Sequence, residues 1–322
     1  MVCGLSFLVA FWLHIALCYG ETEFQRWDRW WSYEGLTGPP AWGNFNQKWK
    51  LCTHGGRQSP IDILPTDLLY DSNLKHIFLS KHKVAGVIRN TGHDLTIYLN
   101  SSDSTHDVKL TDGPLSYQYK VAKIVIHFGS TDKQGSEHRI NGKSFSAEAQ
   151  IVAFNSQLYN NISIAEESNY GLAVISLLVS VNGSVSSPIG QLFSASASHV
   201  QYRGQEKALA KFSVHDLLPL TQNYITYEGS LTKPGCYETV SWIIMNKPVY
   251  MTPEQFGLLR QTVSTDETAP VKTALENNYR PVQNLNRRAL RTNINFPEQK
   301  SAACDIKREK AYTVNQYLSK LK

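Results

Sequence analysis

Short runs of alternating apolar and polar positions recur along most of this chain. Leu95, Ile97 and Leu99 form one, Ile124, Ile126 and Phe128 a second, and Ile151 with Ala153 a third. A period of two residues, punctuated by turn residues, predicts strands with one face on a core. Two stretches are more continuously apolar: Gly171 to Val181 (GLAVISLLVSV) and Val240 to Met245. Such runs fit strands buried on both faces. Helical signals are fewer. The clearest is TPEQFGLLRQTV, from Thr252. Thr252 can cap, Pro253 suits the first helical position, and Gln255 completes a capping box. Many short strands with few helices and no internal repeat predict one mainly β (α+β) domain.

Both ends differ from this middle. Residues 1–20 carry no Lys, Arg, Asp or Glu, and Leu5 to Leu17 is apolar. This predicts a signal peptide, cleaved near Gly20, although its n-region lacks the usual Lys or Arg. An uncleaved signal anchor is the competing reading. No later apolar run reaches the roughly 18–20 residues of a membrane span. The segment Trp27 to Trp49 is aromatic and rich in Gly and Pro, which predicts a small satellite core. Residues 299–322 form a basic tail. There Ile306, Val314, Leu318 and Leu321 lie among lysines and Arg308, a pattern that fits a short amphipathic helix. The expected organisation is signal peptide 1–20, domain 21–298 and tail 299–322.

Composition adds constraints. The net charge of +5 with 18% charged residues gives no reason to expect nucleic acid. Behind a signal peptide, the sequons at Asn100, Asn161 and Asn182 become expected glycan sites. Cys3 and Cys18 would leave with the signal. Cys52, Cys236 and Cys304 remain, an odd number that implies one pair and one leftover thiol in an oxidising compartment.

The chemistry turns on His127 in KIVIHFGS. A catalytic zinc takes three protein ligands and keeps one open position. Two ligands on one strand face stand at i and i+2. Position 125, however, is valine, and Gln150 shares a face with Glu148 and Val152 on the next predicted strand. Alone, His127 is a ligand or a packed imidazole.

The segments WWSYEG…GPPAW, RQSPIDI, IRNTGHDLTIYL, HFGSTDKQGSEH, AEAQIVAFN, YEGSLTKPGCYETVSWII and RPVQNLN resemble the α-carbonic anhydrase family, in its order and spacing, from about Trp30 to Asn295. CYETVSWIIMNKPVY and RTNINF are most similar to the secreted carbonic anhydrase-related proteins of the X/XI type. The resemblance implies one large, twisted, mostly antiparallel sheet with peripheral short helices. It places the three zinc histidines at Val125, His127 and Gln150, so only one survives. It puts the hydroxide-orienting threonine at Thr232, with Glu137 as its hydrogen-bond acceptor, and the proton-shuttle position at His93. Glu148 matches the carboxylate behind the third histidine, and Lys123 stands where the family has glutamine. It also implies a Cys52–Cys236 disulfide, worth roughly 4–5 kcal/mol by loop entropy, leaving Cys304 unpaired.

Without zinc, no metal lowers a water's pKa toward about 7. The expectation is therefore a secreted, non-catalytic protein with no metal and no cofactor. By resemblance, its partner is a neuronal cell-surface receptor of neurexin type, with Cys304 available for a disulfide link. The alternatives are a residual carbonic anhydrase or esterase with unusual metal binding, and a small-ligand pocket lined by Val125, Val152 and Val174.

Overall fold

The computed structural model describes residues 30–100, 107–182 and 186–296. The signal peptide, the basic tail with Cys304, Trp27, and Ser101, Ser102, Gly183 and Ser184 of two sequons lie outside the described residues.

The strands are β1 Asp62–Ile63, β2 Leu68–Tyr70, β3 Ile77–Leu79, β4 Lys83–Asn90, β5 Leu95–Asn100, β6 Lys109–Asp112, β7 Tyr119–Phe128 and β8 Arg139–Ile140. They continue as β9 Ala147–Asn155, β10 Leu172–Val181, β11 Glu206–Ser213, β12 Tyr224–Gly229, β13 Val240–Met245, β14 Val249–Met251 and β15 Leu290–Thr292. Thirteen of them make one sheet in the order β11-β4-β5-β7-β9-β10-β13-β12-β15-β2, with β14 on β10, β6 on β7 and β3 on β6. Its pairings are antiparallel except β10 with β13 and β14, and β15 with β2. The expected mostly antiparallel sheet is therefore present.

Why the central strands are so apolar follows from their position. Every residue of β9 is buried. One face, with Ala149, Ile151, Ile124, Ile126, Ile175 and Ile243, belongs to the larger core. The other, with Val125, Val152, Val174, Ile225 and Trp242, belongs to a second core. The five runs read as strands all appear, as β5, β7, β9, β10 and β13. The capping box at Thr252 is formed, and its helix spans Pro253–Arg260. The helix Pro188–Ala197 was not foreseen. Its start signal is Ser187 before Pro188, and its buried face, Ile189, Phe193 and Ala197 at helical spacing, is diluted by small Ser, Ala and Gly residues.

The aromatic N-terminal segment packs as a satellite core. Trp42 and the Cys52–Cys236 disulfide form its centre, with Trp31, Tyr33 and Trp49 around them. The bridge joins positions 184 residues apart, so it closes most of the domain. Reduction, or Cys52→Ser, is expected to lower stability by about 2–5 kcal/mol. Urea unfolding with and without reductant measures this, and Cys52→Ser should become insensitive to reductant.

Candidate functional site

The site begins with register. β7 and β9 run antiparallel, and Val125 faces Gln150 while His127 faces Glu148. The pairing slips by one residue between Val121 and Lys123. This bulge at Ala122 resets the alternation, so Lys123, Val125 and His127 share the face of Glu148, Gln150 and Val152. β10 adds Ser176 opposite Gln150 and Val174 opposite Val152. The loop after β7 then returns to the sheet and delivers Glu137 and His138. It can do so because Gly135 has φ +150°, and a Cβ there would lie 2.0 Å from the Ser146 carbonyl oxygen.

Two carboxylates are buried here, Glu137 at 1% exposure and Glu148 at 0%. Buried charge needs donors. The Arg280 backbone N–H donates to Glu137 Oε1 at 3.0 Å, and Gln150 Nε2 donates to Oε2 at 2.7 Å. The same Gln150 nitrogen donates to Glu148 Oε1 at 3.1 Å. Glu148 also receives the His138 backbone N–H at 2.8 Å, the His138 ring Nδ1–H at 2.9 Å and the Ser176 hydroxyl at 2.8 Å. The His138 Nε2 lies 2.7 Å from the Tyr227 hydroxyl, which bonds Ser59 Oγ at 2.9 Å. Two acceptors facing one amide dictate that its nitrogen, not its oxygen, points at them.

His127 is 3% exposed. Its Nδ1 donates to the Asn278 carbonyl at 2.6 Å, and its Nε2 lies 3.6 Å from Glu137 Oε2. Burial works against its imidazolium form. The charge of Glu137 and the bond to Asn278 outweigh it and raise its pKa. Asn278 also donates its side-chain N–H to the His93 carbonyl at 3.1 Å. His93 sits in the loop after β4, where its ring stacks on Trp31 at 3.8 Å and 8°. Burial lowers its pKa. At the position the resemblance implies for a proton shuttle, its ring is a packed aromatic partner of Trp31.

Thr232 brings a correction. It is 5% exposed, yet the expected hydrogen bond from its hydroxyl to Glu137 is absent among the described residues. Gln150 and the Arg280 N–H occupy the carboxylate in its place. Lys123 forms an ion pair with Glu166 at 3.2 Å. Sequence reasoning missed Arg280 as a site residue. It is 1% exposed and donates to Gln58 Oε1, the Ser59 carbonyl and the Cys52 carbonyl at 2.8, 2.8 and 3.1 Å. Burial pushes its pKa down to about 10, against the attraction of Glu137. An arginine in a loop of Asn, Tyr and Pro carries no periodic signal that could have marked it as interior.

These residues do not fit a zinc ion. Position 125 offers hydrocarbon, position 150 an amide nitrogen whose two hydrogens face carboxylates, and only His127 an imidazole. Zinc takes thiolate, imidazole or carboxylate donors in sets of three or four. Among the described residues no group of three or more His, Cys, Asp or Glu side chains is placed to hold a metal ion.

The buried carboxylates give the site a pH signature. Burial would raise the pKa of Glu148, but the His138 charge and hydrogen bonds bring it from 4.5 to about 2. A folded pKa below the unfolded one contributes stability above about pH 4.5, which is lost as pH falls through about 2. The contribution is about 3 kcal/mol. Glu148→Gln should therefore unfold more easily than wild type at pH 7, and the gap should narrow steadily toward pH 2. Urea titrations across this range test it; a gap independent of pH would refute the linkage.

Comparison with known proteins places this arrangement. Residues 37–294 match the eukaryotic-type carbonic anhydrase family. The Caenorhabditis elegans protein named carbonic anhydrase-like protein 2 is 39% identical over 272 residues, covering 84% of this chain and 80% of that protein. Carbonic anhydrase-like protein 1 of the same organism is 32% identical over 353 residues, covering 89% of this chain and 95% of that protein. With the thirteen-stranded sheet and the site positions above, the chain belongs to the eukaryotic-type carbonic anhydrase family.

Proposed function

We propose that this protein is a non-catalytic carbonic anhydrase relative that acts outside the cell as a binding module. The carrying observation is the Gln150 amide, bonded through its nitrogen to both Glu137 and Glu148 where the family places a zinc imidazole. With Val125 offering no donor, His127 is left as one ligand of three. Losing a partner that merely supports a ligand typically costs about 10–100-fold in metal affinity, and here two ligands are gone. Glu137 and Glu148 have structural partners without a metal: Gln150, His138, Ser176 and the Arg280 N–H supply their hydrogen bonds.

Secretion is supported by the apolar leader, the disulfide and the exposed sequon residues Asn100 and Asn161. Asn161 caps the helix Ile162–Glu166 through Oδ1, bonded to the Ile164 N–H at 3.0 Å. Its amide nitrogen, the atom a glycan would take, is not used in that cap. No helix among the described residues is long and apolar enough to cross a membrane. The proposed partner is an extracellular or cell-surface protein, of neurexin type by resemblance, with Cys304 as the thiol for a covalent link.

Three outcomes are expected. Purified secreted protein should hold no stoichiometric zinc and should not accelerate CO2 hydration; bound zinc with a hydration rate abolished by His127→Ala would instead favour a residual enzyme. Val125→His with Gln150→His should restore zinc binding in a chelator competition, because it returns two imidazoles beside His127 while Glu166 engages the Lys123 ammonium. Co-secretion with a neurexin-type ectodomain should give a complex that separates only under reduction, and Cys304→Ser should abolish the covalent species on non-reducing gels.

A further inference from the structure

Two lysines meet on one carboxylate oxygen beside the site. Lys123 Nζ lies 3.2 Å from Glu166 Oε1, and Lys233 Nζ lies 3.0 Å from the same atom. Lys123 comes from β7, Lys233 from the loop after Thr232, and Glu166 from the end of the helix Ile162–Glu166. The group is largely shielded, with side-chain exposures of 16% for Lys123, 37% for Lys233 and 19% for Glu166.

Charge does not balance here. Two ammonium groups share one carboxylate, which leaves one positive charge in a partly dry place. Each ammonium carries three N–H donors, and each spends one on Glu166. Burial first, then the neighbouring Lys123 charge, lower the Lys233 pKa in spite of Glu166. Among the described residues, no second carboxylate bonds either ammonium group. Tyr98 stands opposite Lys123 on β5, and Glu167 is turned to the Tyr237 hydroxyl at 3.1 Å. Thr232, next to Lys233, is 5% exposed, and its hydroxyl is not bonded to Glu137.

We propose that Lys123 and Lys233 form an anion site that takes a small carboxylate, with Glu166 as its internal competitor. A second carboxylate between the two ammonium groups makes two charged pairs from an unbalanced trio, and charge-assisted bonds of this kind are among the stronger ones. Lys233, the more exposed lysine, is the side from which the anion enters. The site is distinct from the vacated zinc positions, since both lysines point to Glu166 rather than to Val125 or Gln150.

The probe is acetate, with neutral acetamide as the isosteric control. Thermal unfolding of the full secreted protein is followed at fixed ionic strength with a metal chelator present throughout. Acetate should raise the midpoint saturably and acetamide should not. Lys233→Met, which leaves Lys123 and Glu166 as a neutral pair, should fold and lose the acetate shift. Glu166→Gln removes the competitor. It should unfold earlier without acetate, bind acetate roughly tenfold more tightly, and recover stability as acetate is added. An acetate shift equal to that of acetamide, an undiminished shift in Lys233→Met, or Glu166→Gln that acetate does not rescue would each overturn the site. Zinc content and CO2 hydration are read separately, so failure here leaves the non-catalytic reading standing, and the reverse holds too.

Discussion

Two carboxylates at the centre of a large sheet set the terms for this fold. Glu137 and Glu148 are sealed from solvent, and an unpaired buried carboxylate costs several kcal/mol. Around them stand His138, Ser176, Gln150 and the Arg280 backbone, each giving a donor. The network reaches outward in two directions. Through Tyr227 and Ser59 it ties β12 to the segment before β1. Beyond its backbone bond to Glu137, the Arg280 guanidinium ties Gln58, Ser59 and the Cys52 carbonyl, and so the disulfide-held satellite core. Removing any one donor leaves charge uncompensated. That is reason enough for these residue types to stand here, whatever becomes of a metal.

The sheet makes this network possible by precise pairing. A single bulged residue in β7 decides which face His127 occupies. Shifted by one, Lys123, Val125 and His127 would point into the larger apolar core, where an imidazole and an ammonium have no partners. Instead that core is filled by Ile124, Ile126, Ile151 and Ile175, and the polar cluster shares the other face with Val152, Val174 and Trp242. Polar and apolar halves of one strand pair are thus kept apart by the pleat.

Much of this was legible in the sequence. The alternation of Ile124, Ile126 and Phe128 and the unbroken apolar run of β10 are direct prints of one-sided and two-sided burial. Val125 and Gln150 could be read as missing ligands because the family resemblance implies zinc histidines at those positions, and the strand period agrees in putting 125 on the face of His127. The Thr232–Glu137 bond was misread. The motif gave the residues, but not the competition for one carboxylate oxygen, which Gln150 wins. Arg280, Asn278 and Ser176 were missed for a related reason. Their roles arise from long-range approach, between positions more than 100 residues apart for Asn278 and His127, and local pattern carries no trace of it. The Lys123–Glu166–Lys233 group is of the same kind, assembled from a strand, a helix end and a loop.

Where the family resemblance implies a zinc imidazole, the Gln150 amide keeps the buried carboxylates in order. An imidazole offers one N–H to a buried carboxylate and one lone pair to a metal. The Gln150 amide nitrogen offers two N–H groups, and both are used, one on Glu137 and one on Glu148. The exchange trades a lone pair for a second donor. With a metal present, its charge would help offset the carboxylates; without it, the extra N–H does part of that work. Val125 then needs no polar partner, and it closes the apolar wall with Val152 and Val174. Electrostatics thus links the two positions in the proposed reading: with the Gln150 amide on both carboxylates, a hydrocarbon side chain at 125 leaves no buried charge without a donor.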